Sequence, residues 1–107
     1  MEITDTAILE VNLLNKTDSI TIDDDEKIEL IVKALSSKTR RRILNQIQIE
    51  PLDVSHIAAH LSMTEANISA QIKKLEKAGL ISCDYESGNH GVRKISHLKF
   101  NKLVIKF

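Results

Sequence analysis

One segment near the middle of the chain, residues 61–80 (LSMTEANISAQIKKLEKAGL), constrains the fold more than any other. Three of its apolar residues fall at helical spacing and make one stripe: Ile68, Ile72 and Leu75. Thr64 is a typical N-cap, because its hydroxyl can accept from a free backbone N–H of the first helical turn. Gly79 is the expected residue just past the end, where a left-handed backbone satisfies the last carbonyls. The segment therefore predicts a tight turn followed by a capped, amphipathic helix.

The face opposite the apolar stripe has small side chains at its N-terminal end and cations further along: Ala66, Ala70, Lys73 and Lys77, flanked by Asn67, Ser69 and Lys74. A helix that enters the major groove of DNA needs slim residues for approach, polar residues for base edges and Lys for phosphates. Ala66 and Ala70 are interpreted as apolar contacts to thymine methyl groups. Glu65 is interpreted in two ways: it accepts a hydrogen bond from cytosine N4, or it stabilises the positive N-terminal end of its own helix. The second interpretation is favoured.

Length and composition restrict the class of protein. A chain of 107 residues suits one domain with a modest core. Only 3% of residues are aromatic, so the core must be aliphatic. No apolar run approaches the ~20 residues of a membrane span, and the acidic start lacks the basic region of a secretory signal. One cysteine, Cys83, excludes an internal disulfide and suits the cytoplasm, and it is interpreted as a small strand hydrophobe.

The formal net charge of zero hides a division along the chain. Residues 1–35 contain nine acids and three bases, whereas residues 36–107 contain twelve bases and six acids. The first part is therefore an anion of charge −6 and the second a cation of charge +6. This asymmetry is compatible with a nucleic-acid-binding face on a neutral protein, and equally with a solvated surface of uneven charge.

Periodicity gives a coarse order of elements. Residues 7–22 predict a hairpin, with a helix over 7–14 as the alternative. A helix is predicted over about 24–35, with Asp23 as its N-cap and Glu26 as the reciprocal acid. Its buried side is predicted to carry Ile28, Ile31, Val32 and Leu35.

Ser36 or Ser37 caps a second predicted helix, which ends before Pro51, and Asp53 caps a short third one. After the helix that follows Thr64, the period changes to two. Strands are predicted at 80–85 and 92–98 around a turn at 86–91, followed by a tail strand.

This order predicts a mainly α fold with a small β-sheet, namely a winged helix-turn-helix. Residues 24–100 would form that domain. Residues 1–23 would form an acidic arm with a strand or hairpin, and residues 101–107 a C-terminal strand that serves dimerisation or begins a further domain.

Two stretches resemble the ArsR-type winged-helix regulators. ALSSKTRRRIL, residues 34–44, is similar to the family's ALSDPTRLRIL-like segment, and HIAAHLSMTEANISAQIKKLEKAGLI, residues 56–81, is similar to its helix-turn-helix. The second match includes Ile68, Ser69, Ile72, Lys73, Leu75, Ala78, Gly79 and Leu80. The resemblance implies a homodimeric regulator that binds double-stranded DNA. The tail is similar to the extra strands or domains of archaeal members.

The chain departs from the metal-sensing members of that family. Asp53 and Ser55 stand where those members have two cysteines, so no thiolate pair exists. His56 and His60 lie at i, i+4 on the short helix, but two ligands are too few for a closed zinc site. No metal or other cofactor is therefore expected, and the absence of catalytic motifs predicts that the chain is not an enzyme.

Further cations extend the candidate DNA-binding surface. Arg41 and Arg42 are interpreted as phosphate contacts or, alternatively, as a solvated helix turn, whereas Arg40 falls on the apolar side and is predicted to pair internally. Arg93 and Lys94 would lie on a wing whose tip itself lacks Lys and Arg. The full predicted set is Arg41, Arg42, Thr64, Glu65, Ala66, Asn67, Ser69, Ala70, Lys73, Lys74, Lys77, Asn89, Arg93 and Lys94.

The sequence thus predicts a cytoplasmic, homodimeric transcription regulator, with repression as the expected action, that binds double-stranded DNA sequence-specifically. The dimer surface is expected on the helix at 24–35, the N-terminal arm and the tail strand at 102–107. The alternative is a winged helix that binds protein and not DNA. A more remote alternative is a metal or thiol sensor built on His56, His60 and Cys83.

Overall fold

The computed structural model describes residues 9–89 and 91–107. Over these residues the chain forms four α-helices and six β-strands. In chain order they are β1 (Glu10–Leu14), β2 (Ser19–Ile22), α1 (Asp25–Leu35), α2 (Lys38–Ile49), β3 (Leu52–Asp53), α3 (Val54–Leu61), α4 (Glu65–Lys77), β4 (Ile81–Gly88), β5 (Gly91–Leu98) and β6 (Lys102–Lys106). The predicted fold class, a winged helix-turn-helix with small sheets, is confirmed.

The N-terminal hairpin is confirmed, and the alternative of a helix is wrong for the described part of residues 7–14. β1 and β2 pair antiparallel, with Leu13 opposite Ile20. The Asn15 side chain accepts from the backbone N–H of Thr17 and of Asp18 and so closes the turn. Val11 and Leu13 are buried at alternate positions, which is the period of a strand and not of a helix.

The predicted tail strand is also confirmed, and it lies beside the start of the chain. β6 pairs antiparallel with β1, which gives a sheet of order β2-β1-β6. Val11 and Leu13 belong to the same apolar cluster as the buried residues of all four helices. The first and last described strands therefore lie in one sheet, and this sheet packs on the helical core.

Helix α1 begins one residue later than predicted. Asp24, and not Asp23, is the N-cap, because its carboxylate accepts from the Lys27 backbone N–H. The predicted buried side is partly wrong, since Ala34 completes the buried stripe with Ile28 and Ile31. Val32 lies about 100° from the centre of that stripe and is 47% exposed.

Helices α2 and α3 follow the prediction closely. Ser37 caps α2 by accepting from the Arg40 backbone N–H, and Asp53 caps α3 by accepting from that of His56. The two-residue strand β3 was not predicted and pairs with β5. It is too short to show any periodicity, so only its partner reveals it.

The cap, stripe and stop predicted for α4 are all confirmed. Thr64 accepts from the Asn67 backbone N–H, and the three stripe residues are fully buried. At the other end, Gly79 has φ +77°. Its backbone N–H donates to the Glu76 carbonyl, and the Leu80 backbone N–H donates to the Leu75 carbonyl. This pair of bonds is a Schellman motif, which needs the left-handed residue that glycine supplies.

The wing is longer and its turn shorter than predicted. β4 continues to Gly88 and β5 begins at Gly91, so the predicted turn at 86–91 is wrong at both ends. Glu86 pairs with Arg93 and Ser87 with Val92, which extends the ladder outward. β5 lies between β3 and β4 in this second sheet.

Among the helices of residues 9–89 and 91–107, none is long and apolar enough to cross a membrane.

Candidate nucleic-acid interface

The outward face of α4 is not covered by any other part of residues 9–89 and 91–107. Ala66, Ala70, Lys73 and Lys77 are all exposed, whereas the stripe on the other side of the helix is completely buried. No ion pair between described residues involves Lys73, Lys74 or Lys77. The exposed face that the sequence predicts is therefore present, and no ion pair within the described part of the chain neutralises its lysines.

The remaining predicted residues of α4 lie around this face. Thr64 is exposed although its hydroxyl is engaged as the cap, and Glu65 is exposed in the first turn. Ser69 is half-buried at the edge of the face. The predicted residues on this helix therefore form the exposed face and its two edges.

The C-terminal end of α4 contributes to a cationic depression. Lys74 and Lys77 line a cavity of about 400 Å³ together with Lys33 and Arg40, so positive charge from three helices converges there. Among these, Lys33 is paired with Glu29 on its own helix at 2.8 Å. Such a cluster attracts an anionic partner over roughly a Debye length, ~8 Å at physiological salt.

The Arg40 side chain extends from α2 and forms hydrogen bonds with α1 and α4, which agrees with the internal pairing predicted for it. Its Nε and Nη2 donate to the carbonyls of Ala34 at 2.8 Å and Lys33 at 2.9 Å. Its Nη1 donates to Gln71 Oε1 at 2.7 Å. A guanidinium placed on the last carbonyls of α1 also complements the negative end of that helix.

Gln71 was not among the predicted residues, yet it connects Arg40 to the exposed face. Because Arg40 occupies its amide oxygen, its Nε2 donates to Asn67 Oδ1 at 3.1 Å. The Asn67 amide is thereby oriented. The i, i+4 spacing of Asn67 and Gln71 is a sequence signal that could have suggested this pair.

Arg41 and Arg42, predicted together, have different surroundings. Arg41 Nη1 donates to the Leu35 carbonyl at 2.7 Å, and its side chain borders a leucine-lined cavity. Arg42 is exposed, and no hydrogen bond or ion pair with another described residue involves its side chain. The structure therefore does not group the two arginines at one site.

The two cations of the wing are held by carboxylates of the same chain. Arg93 Nε lies 2.6 Å from Asp53 Oδ2, and Lys94 Nζ lies 2.7 Å from Glu76 Oε1. These pairs tie β5 to the N-cap of α3 and to the side of α4. Asn89 is exposed next to the turn of the wing. The tip therefore extends from a base that is fixed to the helix-turn-helix.

Asp53 is the centre of this anchoring. Its side chain is 7% exposed and accepts from the His56 backbone N–H, His56 Nδ1 and Arg93. Burial alone would raise the pKa of Asp53, but the hydrogen bonds from His56 and Arg93 outweigh it, so that this pKa lies below its ordinary value. The hydrogen bond to Glu76 raises the pKa of Lys94 against the opposing effect of burial.

The histidines and the cysteine of the proposed sensor have separate partners. His56 contacts Asp53, His60 Nδ1 lies 3.1 Å from Gln46 Oε1, and Cys83 Sγ lies 3.5 Å from Ser96 Oγ. Burial raises the pKa of the Cys83 thiol, which disfavours the reactive thiolate. In the described part of the chain, no three His, Cys, Asp or Glu residues cluster as metal ligands would.

Comparison with known proteins agrees with this geometry. The family described as bacterial regulatory protein, arsR family, matches residues 37–82, which run from the cap of α2 into the wing. The cadmium metal-sensor CMTR from Mycobacterium tuberculosis is 31% identical, with 66% of this chain and 69% of that chain aligned and a TM-score of 0.54. The chain belongs to the ArsR family.

Other solved structures share the fold with this ArsR-family chain. The homodimeric winged helix-turn-helix DNA-binding domain of a possible ArsR-family regulator from Mycobacterium bovis is 25% identical, with a TM-score of 0.62. The alignment covers 68% of this chain and 64% of that one. HlyU from Vibrio cholerae is 20% identical over 68% and 75% of the two chains, with a TM-score of 0.60. No curated protein sequence matches significantly.

Proposed function

We propose that this ArsR-family chain is a homodimeric transcription regulator that binds double-stranded DNA sequence-specifically through α4. The observation that carries the proposal is the exposed face of α4, where two exposed alanines precede lysines that form no ion pair with another described residue. Small residues let the helix approach base edges, and the lysines reach flanking phosphates.

The contacts that we propose are centred on the predicted residues of α4. Asn67 is the candidate for adenine, because an oriented amide can pair bidentately with the N6 and N7 of that base. Lys73, Lys74 and Lys77 would neutralise phosphates. Arg93 and Lys94 act chiefly by holding the wing in place through Asp53 and Glu76, and Asn89 in the turn of the wing is a further candidate for contact with the duplex.

Exposed apolar side chains support a dimer. Leu30 and Val32 flank the buried stripe of α1 and are 38% and 47% exposed. Ile20 and Ile105 lie on the core-facing side of the sheet, because they pair with Leu13 and Val11 respectively, but on the outer strands they are 45% and 42% exposed. A two-fold dimer would place two α4 helices in half-sites about one helical turn apart.

Salt dependence of DNA binding tests the proposal. Each phosphate contact contributes about one unit to the slope of log K against log salt concentration. Replacing Lys73→Ala together with Lys77→Ala removes up to four contacts from a dimer, so we expect weaker binding and a slope smaller by about two to four units. Equilibrium binding to a fluorescent duplex at several salt concentrations measures both quantities.

The matched control is Lys16→Ala with Lys99→Ala, which removes two exposed lysines outside α4, one in the turn between β1 and β2 and one between β5 and β6. It lowers the total charge equally and should leave the slope near that of the unmodified protein. Equal slopes for both double variants would show that α4 does not lie against the duplex, and no binding in dilute buffer would contradict DNA binding altogether.

A further inference from the structure

A separate cavity of about 280 Å³ lies between α2 and the β2-β1-β6 sheet. Its walls come from the ends of α1 and β5, from α2, from the residue after Gly79, and from residues 100–103. Among the predicted DNA-binding residues, only Arg41 lines it. The cavity is therefore distinct from the proposed DNA interface, and an inference about it stands apart from the proposed function.

The interior of this cavity is apolar. Six leucines and Phe100 account for seven of the twelve lining residues. Apolar walls with a few placed polar groups are typical of small-molecule sites, and the volume lies just below their usual range, ~300–1,000 Å³. Leu13 and Leu103 come from the sheet and Leu35 and Leu44 from the helices, so both layers form the walls.

The wall contributed by the tail is fixed in place. The Asn101 backbone N–H donates to the Leu14 carbonyl at 3.0 Å, and Asn15 Nδ2 donates to the Lys99 carbonyl at 2.9 Å. These bonds attach residues 99–101 to the end of β1. The cavity is thus part of the folded chain and needs no rearrangement to exist.

The charge at this cavity is entirely positive. Arg41 and Lys102 line it, and none of its described lining residues is acidic. The bond from Arg41 Nη1 to the Leu35 carbonyl holds the guanidinium at the rim, and neither cation takes part in an ion pair between described residues. Asn45, Gln48 and Asn101 supply neutral polar groups.

We propose that this cavity binds a small amphiphilic carboxylate, a medium-chain fatty acid in chemical class. The carboxylate would be held by Arg41 and Lys102, and the alkyl chain would lie among the leucines. Arg41 suits this role because its planar guanidinium matches a carboxylate. The combination of two cations, no acid and apolar walls selects an anion with a hydrocarbon tail over a cation or a neutral lipid.

Calorimetric titration of the whole chain with octanoate, below its micelle concentration, tests the proposal without DNA. We expect saturable binding of one octanoate per chain and at least tenfold weaker binding of octylammonium. Arg41→Gln should weaken octanoate binding about tenfold, because it removes a charge-assisted contact. The neighbouring Arg42→Gln, which changes an exposed arginine outside the lining, is the matched control and should bind normally.

Filling the cavity gives a second, independent variant. Leu44→Trp should abolish octanoate binding, with the helical circular dichroism spectrum confirming the fold. If that variant fails to fold, Leu103→Trp fills the cavity from the sheet side. Equal affinity for octanoate and octylammonium, equal loss in Arg41→Gln and Arg42→Gln, or uptake without saturation would overturn the proposal. So would octanoate binding that disappears as protein concentration rises, because a second copy of the chain would then occupy the cavity.

Discussion

Asp53 connects three parts of the fold through one carboxylate. It caps α3, lies opposite Ile95 in the β3–β5 ladder and holds Arg93 of the wing. A helix-turn-helix can point its second helix at DNA without a wing, but the wing needs an anchor if its tip is to meet the same duplex. The buried acid supplies that anchor.

The charge of Asp53 should therefore stabilise the fold in a pH-dependent way. Its pKa is lowered in the folded state, so its contribution is present above the unfolded carboxyl pKa, ~3.9, and is lost as pH falls through the folded value. Asp53→Asn keeps a good N-cap but loses the charge. We expect unfolding at neutral pH to become easier by about 1–2 kcal/mol, since Arg93 is half exposed and partly screened.

Thermal or urea unfolding at pH 7 and at pH 3 measures this difference, which should shrink at the lower pH. Asp84→Asn is the control, because Asp84 pairs with His97 from an exposed position, with 71% of its side chain accessible. A destabilisation by Asp53→Asn that is the same at both pH values would show that shape, and not charge, is what Asp53 contributes.

At the scale of elements, residues within one helix were sufficient to predict that helix. Contacts between residues far apart in the sequence could not be predicted in this way. The cap, stripe and stop of α4 were predictable because Thr64, Ile68 and Gly79 act within one helix. β3 and the pairing of Arg93 with Asp53 join residues about 40 positions apart, and no spacing rule connects them. Ser62 has φ 54° where glycine is usual, and the turn forms nevertheless.

The contact between α2 and α4 leads to a test of the proposed base contact at Asn67. Arg40 orients Gln71, which orients Asn67, so Gln71→Ala should loosen base selection without removing a base contact of its own. Selection of duplexes from a random pool should yield the same site length with reduced preference at one position per half-site. The expected loss is about 1 kcal/mol, the lower end for a base contact, because Asn67 itself remains.

Asn67→Ala should affect the same position at least as strongly, and the double variant should add little, since the two residues act as one unit. Ser69→Ala, at the other edge of the face, is the matched control and should leave that position unaltered. An unchanged preference in Gln71→Ala would mean that Asn67 is oriented by the duplex and not by the protein.

At the scale of the whole molecule, the sequence division into an arm, a winged helix and a tail did not anticipate that the two ends would share a sheet. Each strand was predictable from its own alternation, but the pairing of Val11 with Ile105 spans almost the entire chain. Register over such a separation depends on which faces are buried, and that is known only once the helices are in place. The sheet also forms one wall of the leucine-lined cavity, which no motif indicates.

The exposed apolar side chains of α1 are candidates for the surface on which a dimer would form. Val32→Glu would place a charge at that surface without touching the core, because the side chain is 47% exposed in the single chain. Burying an unpaired carboxylate is costly, so we expect the dimer dissociation constant to rise tenfold or more. Sedimentation analysis over a range of concentrations measures it. Ile49→Glu adds the same charge at the end of α2, where the side chain is 77% exposed, and should leave the dimer intact.

Because binding to paired half-sites requires two subunits, Val32→Glu should also weaken specific DNA binding far more than Ile49→Glu does. A Val32→Glu protein that remains dimeric would move the interface away from α1.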